Sequence, residues 1–368
     1  MDTEDHTIEA RAAATTANPW NGKTLFVNPV WANKLEPTYK LFKNRTDEAN
    51  AAKVRVAQGT GTFVWISSKA NLPDIDQAIS SARAKEKLTG VQQMVGLVLY
   101  DIPGRDWSGG KSWGEFPATE AGLTAYKETY IKPFAKKVAA ATDLDFAIIL
   151  EPDAMGNLVS QRKDQEFVKL VAPLYERAIA YSIMSLQFSH ISLYIDAANG
   201  GWLGWDDTLG PTATELAKIF KIAKDASKGR AIQIRGFSTN VSNFNLFNAK
   251  GPESYTVPSK SWDESHYILA LVPYLKQVGL PLRFIVDQSR NSIPGKRKSW
   301  ADWGNLNPAS FGIRPGTPVG NQYVDSIVWV KPPGESDGQN ITGGFPGAPK
   351  AGVWFPQYVE MLFNNTKF

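Results

Sequence analysis

The sequence predicts one α/β domain built as a parallel βα barrel, and two patterns support this prediction. Between residues 18 and 368, short apolar runs typical of buried strands alternate about eight times with runs typical of helices, without a change of composition. Five of the apolar runs lead directly into a charged residue. In βα-barrel enzymes the active site lies at the carboxyl ends of the strands, so we expect an acidic site built from several strands.

These five runs have the length and composition of strands that are buried on both faces. They are residues 94–100, 146–150, 191–195, 284–286 and 327–330, and they are followed by Asp101, Glu151, Asp196, Asp287 and Lys331. Further strands are expected at residues 24–27, 62–66 and 232–234.

Helices are expected between the strands. Their predicted spans are residues 32–56, 72–87, 118–141, a helix from about Met155, 167–182, 212–224, 263–277 and 352–364. Pro73 suits the first turn of the second helix, and Pro133 is expected to interrupt the third. Residues 107–115, 289–319 and 332–350 are rich in Gly, Pro and polar side chains, which predicts long loops.

The ends of the barrel domain follow from composition. Residues 1–17 are polar and rich in Ala and Thr, which predicts a flexible lead-in, and they lack the apolar segment of a signal peptide. Residues 18–368 are expected to form the catalytic domain. Since no apolar run approaches the length of about 18 residues, we expect no membrane span.

Asp153 is the first candidate for acid–base chemistry. It follows the strand at 146–150, and desolvation at the mouth of a barrel would raise its pKa, which suits a general acid. A competing interpretation is that Asp153 or Asn157 caps the helix that begins near Met155, because Asp between a strand and a helix is a common N-cap pattern. The sequence around Asp153 alone does not decide between them.

The rarer residue types exclude several kinds of catalysis. The chain has no Cys, which excludes thiol nucleophiles, thiolate metal sites and disulfides. It has three His, at 6, 190 and 266, so a His-based triad or a multi-His zinc site is not expected, and His190 and His266 are interpreted as structural. Carboxylates must therefore do the acid–base work, and no metal or cofactor is expected.

Tryptophan points to the ligand class. The chain has 12 Trp, several of them in Gly-rich stretches such as residues 201–205 and 300–304, where core packing is a poor explanation. Sugar rings stack on indole while their hydroxyls seek Asp and Lys. The net charge of +4 is interspersed except at residues 296–298, which we expect on a solvated loop, so nucleic-acid binding is not expected. No phosphate-binding glycine fingerprint is present.

At this point the sequence resembles a known family, the cellulases of glycoside hydrolase family 6, which are cellobiohydrolases and endoglucanases acting on β-1,4-glucan. The matching blocks are residues 100–106, 151–153, 194–197, 201–205, 239–241, 284–288, 311–315 and 328–338. The resemblance implies a distorted TIM-like barrel of about seven parallel strands, with long loops forming the substrate cleft. One of the eight candidate strands would then lie outside the closed sheet.

The resemblance also implies catalytic roles. Asp153 corresponds to the proton donor, and Asp106 to the companion acid that keeps Asp153 protonated and helps channel the proton from the attacking water. Tyr100 corresponds to the tyrosine that presses the sugar towards a distorted ring, and Ser112 to the loop serine that helps hold the water. Asp337 matches a carboxylate sometimes proposed as the base, a role still argued over.

Sugar-binding residues are implied in the same way. Trp65, Trp202, Trp205 and Trp303 resemble sugar platforms, and Lys331 and Glu335 resemble hydroxyl ligands. The remaining substrate-binding candidates are Arg105, Asp196, Asn199 and Asn240. Two positions depart from the family: Asn199 stands where a histidine is common, and Trp113 where an asparagine is. The four positions of two disulfides usual in fungal members are here Trp107, Phe167, Gly304 and Ser336, so packing must hold those loops or leave them mobile.

The expected function is inverting hydrolysis of β-1,4-glucosidic bonds in cellulose and related β-glucans. Trp354 follows Asp337 by only 17 positions, about a dozen fewer than in family members whose loop roofs the cleft into a tunnel. The resemblance therefore implies an open or partly open cleft and an endoglucanase or mixed endo/exo cellobiohydrolase. Two alternatives stay open: a catalytically impaired barrel that only binds β-glucan, and a Mg-dependent barrel enzyme that uses the acids as ligands. We expect a monomer that is secreted, because the substrate is polymeric and sequons occur at Asn44, Asn240, Asn340 and Asn364.

Overall fold

A computed structural model describes residues 17–368, and its central feature is a parallel sheet. The strands are β1 (Thr24–Leu25), β2 (Val64–Ile66), β3 (Gln93–Leu99), β4 (Asp145–Leu150), β5 (Ile191–Asp196), β6 (Gly236–Thr239), β7 (Phe284–Asp287), β8 (Arg290–Ser292), β9 (Ala309–Phe311) and β10 (Val324–Val328). The parallel order is β1-β3-β4-β5-β6-β7-β10, and β8 and β9 form a separate antiparallel pair. The lead-in predicted at residues 1–17 lies outside the described residues except for its last.

The barrel has seven strand positions because β1 and β2 share one. β1 pairs with the start of β3, at Gln93 and Met94, and β2 pairs with its end, from Leu97 to Leu99. The sheet closes where the backbone N–H of Phe63, just before β2, donates to the carbonyl of Trp329, just after β10, at 2.9 Å. The predicted distorted barrel of about seven parallel strands is confirmed.

Helices surround the barrel. They span Pro29–Lys34, Glu36–Asn44, Glu48–Gln58, Leu72–Thr89, Glu120–Ala125, Lys132–Ala139, Ala154–Ser160, Ala172–Ser185, Gly200–Leu203, Asp206–Ala226, Glu264–Gln277 and Pro356–Asn365, with π-helical turns at Tyr126–Ile131 and Phe167–Val171 and short 3₁₀ turns at Lys69–Asn71 and Ser254–Thr256. Within residues 17–368, none of these helices combines the length and apolarity needed to cross a membrane.

Several predicted boundaries were wrong, each for a local reason. The single helix predicted at 32–56 is three helices, because Pro37 opens the second and Asp47 caps the third by accepting from Asn50 N at 3.0 Å. Residues 232–234 pack against the core without pairing, and the strand begins at Gly236. The predicted loop 289–319 contains the β8–β9 pair.

The helix predicted at 118–141 is interrupted near Pro133, as predicted. An α-helix at Glu120–Ala125 gives way to a π-helical turn at Tyr126–Ile131, and a new α-helix, Lys132–Ala139, begins with the proline in its first turn. The last helix begins at Pro356, not at residue 352, and proline is favoured at the first helical position because it has no N–H to leave unpaired.

Apolar side chains fill the barrel on both faces of the sheet. All seven residues of β3 are buried. Inside the barrel, Phe63, Val98, Ile149 and Ile285 pack together, and a larger cluster fills the space between strands and helices. This rigid double-faced core fixes the carboxyl ends of the strands, from which the polar residues emerge.

The amino end of the barrel is held by a buried polar network. The carboxylate of Asp325 accepts from Arg235 Nε and Nη2, both at 2.7 Å, and from the hydroxyl of Tyr194 at 2.9 Å. The same hydroxyl accepts from the indole N–H of Trp20 at 3.1 Å. These contacts join β5, β10 and the segments preceding β6 and β1.

We expect Asp325→Ala to lower the free energy of unfolding by about 3–5 kcal/mol, because it removes the carboxylate from a buried guanidinium. Chemical denaturation would measure the loss. Asp143→Ala is the matched control: Asp143 pairs with Arg83 at 2.7 Å on the surface, where an ion pair contributes no more than about 1 kcal/mol. Equal losses in the two variants would contradict a stabilising role for the buried network.

Candidate active site

A cavity of about 830 Å³ opens at the carboxyl ends of the strands. Ten of the predicted site residues line it: Trp65, Tyr100, Arg105, Asp106, Ser112, Asp153, Trp303, Lys331, Glu335 and Asp337. Asp196, Asn199, Trp202, Trp205 and Asn240 do not line this cavity, and their positions are described below.

Asp153 occupies the N-cap position of the helix Ala154–Ser160, but its side chain makes no capping hydrogen bond. Its backbone has φ of 70°, a left-handed conformation that turns the carboxyl group away from the helix and towards the cavity. Asn157 does not cap the helix either, since its amide donates to the carbonyl of Asp153 at 3.0 Å. The interpretation of Asp153 or Asn157 as a side-chain cap is therefore wrong.

The surroundings of Asp153 favour its protonated form. Burial raises its pKa to about 7, and the nearby charge of Asp106 adds to the shift. The Tyr100 hydroxyl, which donates to Asp153 Oδ2 at 3.4 Å, and the cations Lys331 and Arg105 oppose it. Near neutral pH the group can therefore hold a proton and also release it, which is what a general acid requires.

Asp106 organises the loop that follows it. Its Oδ2 accepts from the backbone N–H groups of Lys111 and Ser112, both at 2.5 Å, and its own backbone has φ of 64°. The carboxylate thus has a fixed position and brings Ser112 to the wall of the cavity. Trp107 and Phe167 stand at two of the four positions named above for the disulfides of the resembled family. Their aromatic rings lie 5.8 Å apart, so ring packing, and not a disulfide, joins the loop to the π-helical turn Phe167–Val171.

Arg105 is a loop anchor rather than a free ligand for sugar. Its guanidinium donates to the carbonyls of Ser67 at 2.7 Å, Ser112 at 2.7 Å and Trp113 at 2.9 Å, and also to that of Tyr100. It lies over the Tyr100 ring, 4.4 Å from the centroid. The predicted binding role needs correction because the guanidinium is committed to the backbone.

Asp337 is tied into an ion pair that the sequence did not predict. Its carboxylate accepts from Arg290 Nη1 at 2.7 Å and Nη2 at 2.9 Å, and from the backbone N–H of Asn305 at 2.6 Å. Both Arg290 and Asp337 are buried. Arg290 lies on β8, inside the segment predicted as loop, so the pattern offered no signal for this partner.

The aromatic wall of the cavity is rigid. Trp65 donates its indole N–H to the carbonyl of Val330 at 2.8 Å and packs edge-on against Tyr100 at 5.2 Å. The ammonium of Lys331 lies 5.6 Å from the Trp65 ring, and burial lowers its pKa. Glu335 forms an ion pair with Lys34 at 2.9 Å. Lys34 also lines the cavity, and sequence analysis missed it because it ends the helix Pro29–Lys34, which is 301 positions away from Glu335 in the chain.

Trp202 and Trp205 form a second aromatic group beside the acid. The Trp202 ring lies against Gly156, in the helix that follows Asp153, where an added Cβ would come within 2.7 Å of the ring. Trp205 is held by its indole N–H, which donates to Gly201 O at 3.0 Å. Both side chains are only partly buried, which leaves indole surface exposed.

Three residues predicted as ligands form hydrogen bonds with the backbone near the site. Asp196 accepts from the backbone N–H of Asp153 at 3.1 Å. Asn199 caps the short helix of Trp202, accepting from Gly201 N at 3.0 Å and Trp202 N at 3.2 Å. Asn240 is fully buried, and its amide donates to the carbonyls of Asn245 at 3.0 Å and Asp287 at 2.7 Å. Asn240 therefore cannot contact a ligand in the cavity as predicted.

The prediction that residues 296–298 lie on a solvated loop is wrong for one of them, Arg297, which is buried. Arg297 is 4% exposed, donates to Asn245 Oδ1 at 2.6 Å, and lies 5.4 Å from the Trp300 ring. Its neighbours Lys296 and Lys298 are exposed, as predicted for a solvated loop. No group of three or more His, Asp or Glu within residues 17–368 is arranged to hold a metal ion.

Comparisons with known proteins agree on one family. The family model described as glycosyl hydrolases family 6 matches residues 20–366. A 1,4-β-D-glucan cellobiohydrolase of Podospora anserina is 50% identical over 349 residues, covering 95% of this chain and 82% of that protein. The solved structure of an endoglucanase from Humicola insolens has a TM-score of 0.89 at 48% identity, covering 95% of this chain and 99% of that one.

A further solved structure, a cellobiohydrolase II from Humicola insolens in complex with glucose and cellotetraose, has a TM-score of 0.86 at 32% identity and covers 95% of this chain and 99% of that one. The similarity therefore extends over the whole barrel and its loops. These similar proteins include two that are named cellobiohydrolases and one that is named an endoglucanase.

We expect Asp153→Asn to gain stability relative to the parent as the pH rises. Because the pKa of Asp153 is raised from 3.8 to about 7 in the folded chain, protonation stabilises the fold. That contribution is fully present below about pH 4 and is lost as the pH rises through about 7. The variant side chain stays neutral, so its advantage should grow between pH 4 and pH 8, by no more than about 4 kcal/mol at about 1.4 kcal/mol per pKa unit.

Denaturation at several pH values measures this difference. Asp225→Asn, at an exposed helix end, is the control and should show no growing advantage. A pH-independent difference for Asp153→Asn would contradict the raised pKa.

Proposed function

The chain belongs to glycosyl hydrolases family 6, and we propose from this premise that it hydrolyses β-1,4-glucosidic bonds of cellulose and related β-glucans with inversion at the anomeric carbon. The observation that carries the proposal is Asp153: a carboxyl group with a raised pKa, contacted by Tyr100 and influenced by Asp106, in a cavity walled by tryptophan. Two carboxyl groups beside a sugar-sized cleft are the usual equipment of a glycosidase.

The reaction follows from this arrangement. Asp153 gives its proton to the glycosidic oxygen as the bond from that oxygen to the anomeric carbon breaks. A water molecule forms the new bond at the anomeric carbon from the opposite face. Asp106 and Ser112, joined at 2.5 Å through the Ser112 N–H, stand where they can orient that water and help carry its proton away. Tyr100 and Trp65 press against the reacting sugar.

Asp337 fits a supporting role better than that of the base. Its carboxylate accepts two hydrogen bonds from Arg290 and one from Asn305 N, so it is committed to this buried ion pair and to the backbone. In this position the negative charge of Asp337 favours the charged form of the neighbouring Lys331. The Lys331 ammonium donates to Ser336 O at 3.3 Å. The proton of the water is then accepted on the side of Asp106.

Sugar units are held on both sides of the acid. Trp65, Lys331 and Glu335 offer an indole face and charged groups on one side, where the sugar hydroxyls can bond. Trp303 lines the same cavity, and Trp202 and Trp205 continue the aromatic surface beyond Asp153. Asn199 contributes by holding Trp202 in place.

The cleft is partly open. A Cβ added at Gly338 would lie 3.1 Å from Cβ of Lys111, so the loops on the two sides of the site meet at this point. Only 17 positions separate Asp337 from Trp354, and so short a segment favours a cleft that is open beyond this point. This supports endoglucanase or mixed endo/exo action, and viscosity loss on carboxymethyl cellulose against cellobiose release from crystalline cellulose distinguishes the two.

Secretion as a monomer is the setting that suits a polymeric substrate. Asn44, Asn340 and Asn364 are exposed and open to N-glycosylation, whereas Asn240 is buried with its amide donating to two carbonyls. A glycan on Asn240 would be incompatible with the fold.

We expect Asp153→Ala to lose nearly all hydrolysis of soluble β-glucan, by at least about 10²–10⁴-fold, because the leaving oxygen would lack its proton donor. Reducing-sugar release measures the loss, and circular dichroism checks folding. Asp143→Ala, on the surface, is the control and should hydrolyse normally. Near-normal turnover by a folded Asp153→Ala would overturn the assignment, and retained binding of cello-oligosaccharide without turnover in the parent would favour a binding barrel.

The first product of the parent enzyme should be the α-anomer, because water attacks the face opposite the leaving group. Proton NMR during the first minutes of hydrolysis, before mutarotation, measures this. A β-anomer would contradict inversion.

A further inference from the structure

We propose that Glu151, two residues before Asp153, is a positioning residue: with Asp101 it forms a buried carboxyl clamp that fixes the helper loop, residues 106–115, against the strand that carries the acid. The inference rests on the proposed role of Asp153. It assigns a task to two acids that contact neither the cavity nor a cation-rich surface.

Glu151 reaches from the end of β4 to the backbone that follows β3. Its carboxylate accepts from Asp101 N at 3.1 Å and Ile102 N at 3.0 Å through Oε2, and from the Tyr126 hydroxyl at 2.7 Å through Oε1. Its backbone has φ of 48°, a conformation that non-glycine residues rarely adopt. The side chain is 1% exposed, so these bonds replace hydration completely.

Asp101 carries the connection on to the helper loop. Its Oδ1 accepts from the backbone N–H of Glu115 at 3.1 Å, at the last residue of that loop, and lies 3.5 Å from Arg105 Nη1. An added Cβ at Gly114 would come within 2.8 Å of the same oxygen, so the loop closes directly onto this carboxyl group. Asp101 Oδ2 is buried and finds no hydrogen-bond partner anywhere in residues 17–368.

Stability alone does not explain two carboxyl groups in this place. Burial raises the pKa of Glu151 to about 8, and the charge of Asp101 adds to this shift. Burial also raises the pKa of Asp101 to about 7, and there the neighbouring acid Glu115 adds to the shift. A buried charged group is often replaced by apolar side chains without loss of stability. The two oxygens of Glu151 nevertheless accept from three donors at once, whereas an amide offers only one oxygen to the same donors.

The titratable and polar groups around the clamp come from three places: the π-helical turn Tyr126–Ile131, the helix Ala172–Ser185 and the segment after β3. Tyr126 contacts Glu151 directly, and its hydroxyl also lies 3.0 Å from Ser182 Oγ. Tyr130 sits beside the pair, with its hydroxyl accepting from Tyr100 N at 3.1 Å. Arg105 is the cation that faces Asp101, and it also donates to the carbonyls of Ser112 and Trp113. Asp101 and Arg105 therefore hold the same end of the helper loop, at residues 112, 113 and 115.

The consequence for catalysis is electrostatic. Asp106 stands on the helper loop, and its charge is the second cause of the raised pKa of Asp153. If the clamp fails, Asp106 and Ser112 lose their fixed distance from the acid. Asp153 then releases its proton at lower pH, and the water loses its support.

Glu151→Gln tests this. We expect kcat on soluble β-glucan to fall about 10- to 100-fold, the range for a small misplacement of reacting groups, while KM changes by less than about threefold. The alkaline limb of the kcat profile, which reports the protonated acid, should move to lower pH. Asp106→Asn should move the limb in the same direction, and adding Glu151→Gln to Asp106→Asn should move it no further, because both act through the same charge.

Glu264→Gln is the matched control. Glu264 is also fully buried and also accepts a backbone N–H, that of Gly200 at 3.0 Å, but it lies on the Trp202 side of the site. This variant should leave the alkaline limb in place even if it lowers stability. Should Glu151→Gln fold poorly, Asp101→Asn replaces it, with the same shift expected.

Loss of stability with an unmoved alkaline limb in both Glu151→Gln and Asp101→Asn would overturn the proposal. A limb that moves further when Glu151→Gln is added to Asp106→Asn would also overturn it. If Asp153→Ala kept its activity, the proposed function itself would fail. If Asp153→Ala is inactive and the alkaline limb of Glu151→Gln is unmoved, the clamp proposal is contradicted while the proposed function stands.

Discussion

The proposed chemistry depends on one carboxyl group, that of Asp153, holding a proton near neutral pH. Burial raises the pKa of Asp153, and the charge of Asp106 adds to the shift. Tyr100 and Lys331 moderate it, so the group remains able to release its proton. Because charge interactions depend on distance, this balance holds only if Asp106, Lys331 and Arg105 stay at one fixed geometry around Asp153.

Charged side chains directed at the backbone provide that geometry. Arg105 donates to carbonyls of the loop after Asp106, and Arg290 holds Asp337 against Asn305. Such bonds bring the directional strength of an ionic group to loops that have little secondary structure of their own. In a chain without cysteine, these contacts and the packing of Trp107 on Phe167 hold the loops.

Buried charged residues occur at both ends of the barrel, but they have different surroundings at the two ends. At the amino end, Asp325, Arg235 and Tyr194 form a buried network that joins strands. At the carboxyl end, buried acids such as Glu151, Asp101 and Asp196 have raised pKa values and are held in costly positions. The candidate proton donor Asp153 and the aromatic walls lie at this second end, where βα barrels carry their active sites.

The sequence by itself determined the barrel, its approximate strands, the acidic carboxyl ends and the candidate acid, because apolar periodicity and strand-to-acid junctions are local patterns. It could not decide whether Asp153 capped a helix, since that depends on a left-handed backbone at this residue. It also could not place Arg290 beside Asp337 or bury Asn240 and Arg297, whose partners lie far away in the chain. Only the tertiary structure decides such pairings, because the energy of a buried charge depends on what the fold brings next to it and not on its neighbours in sequence.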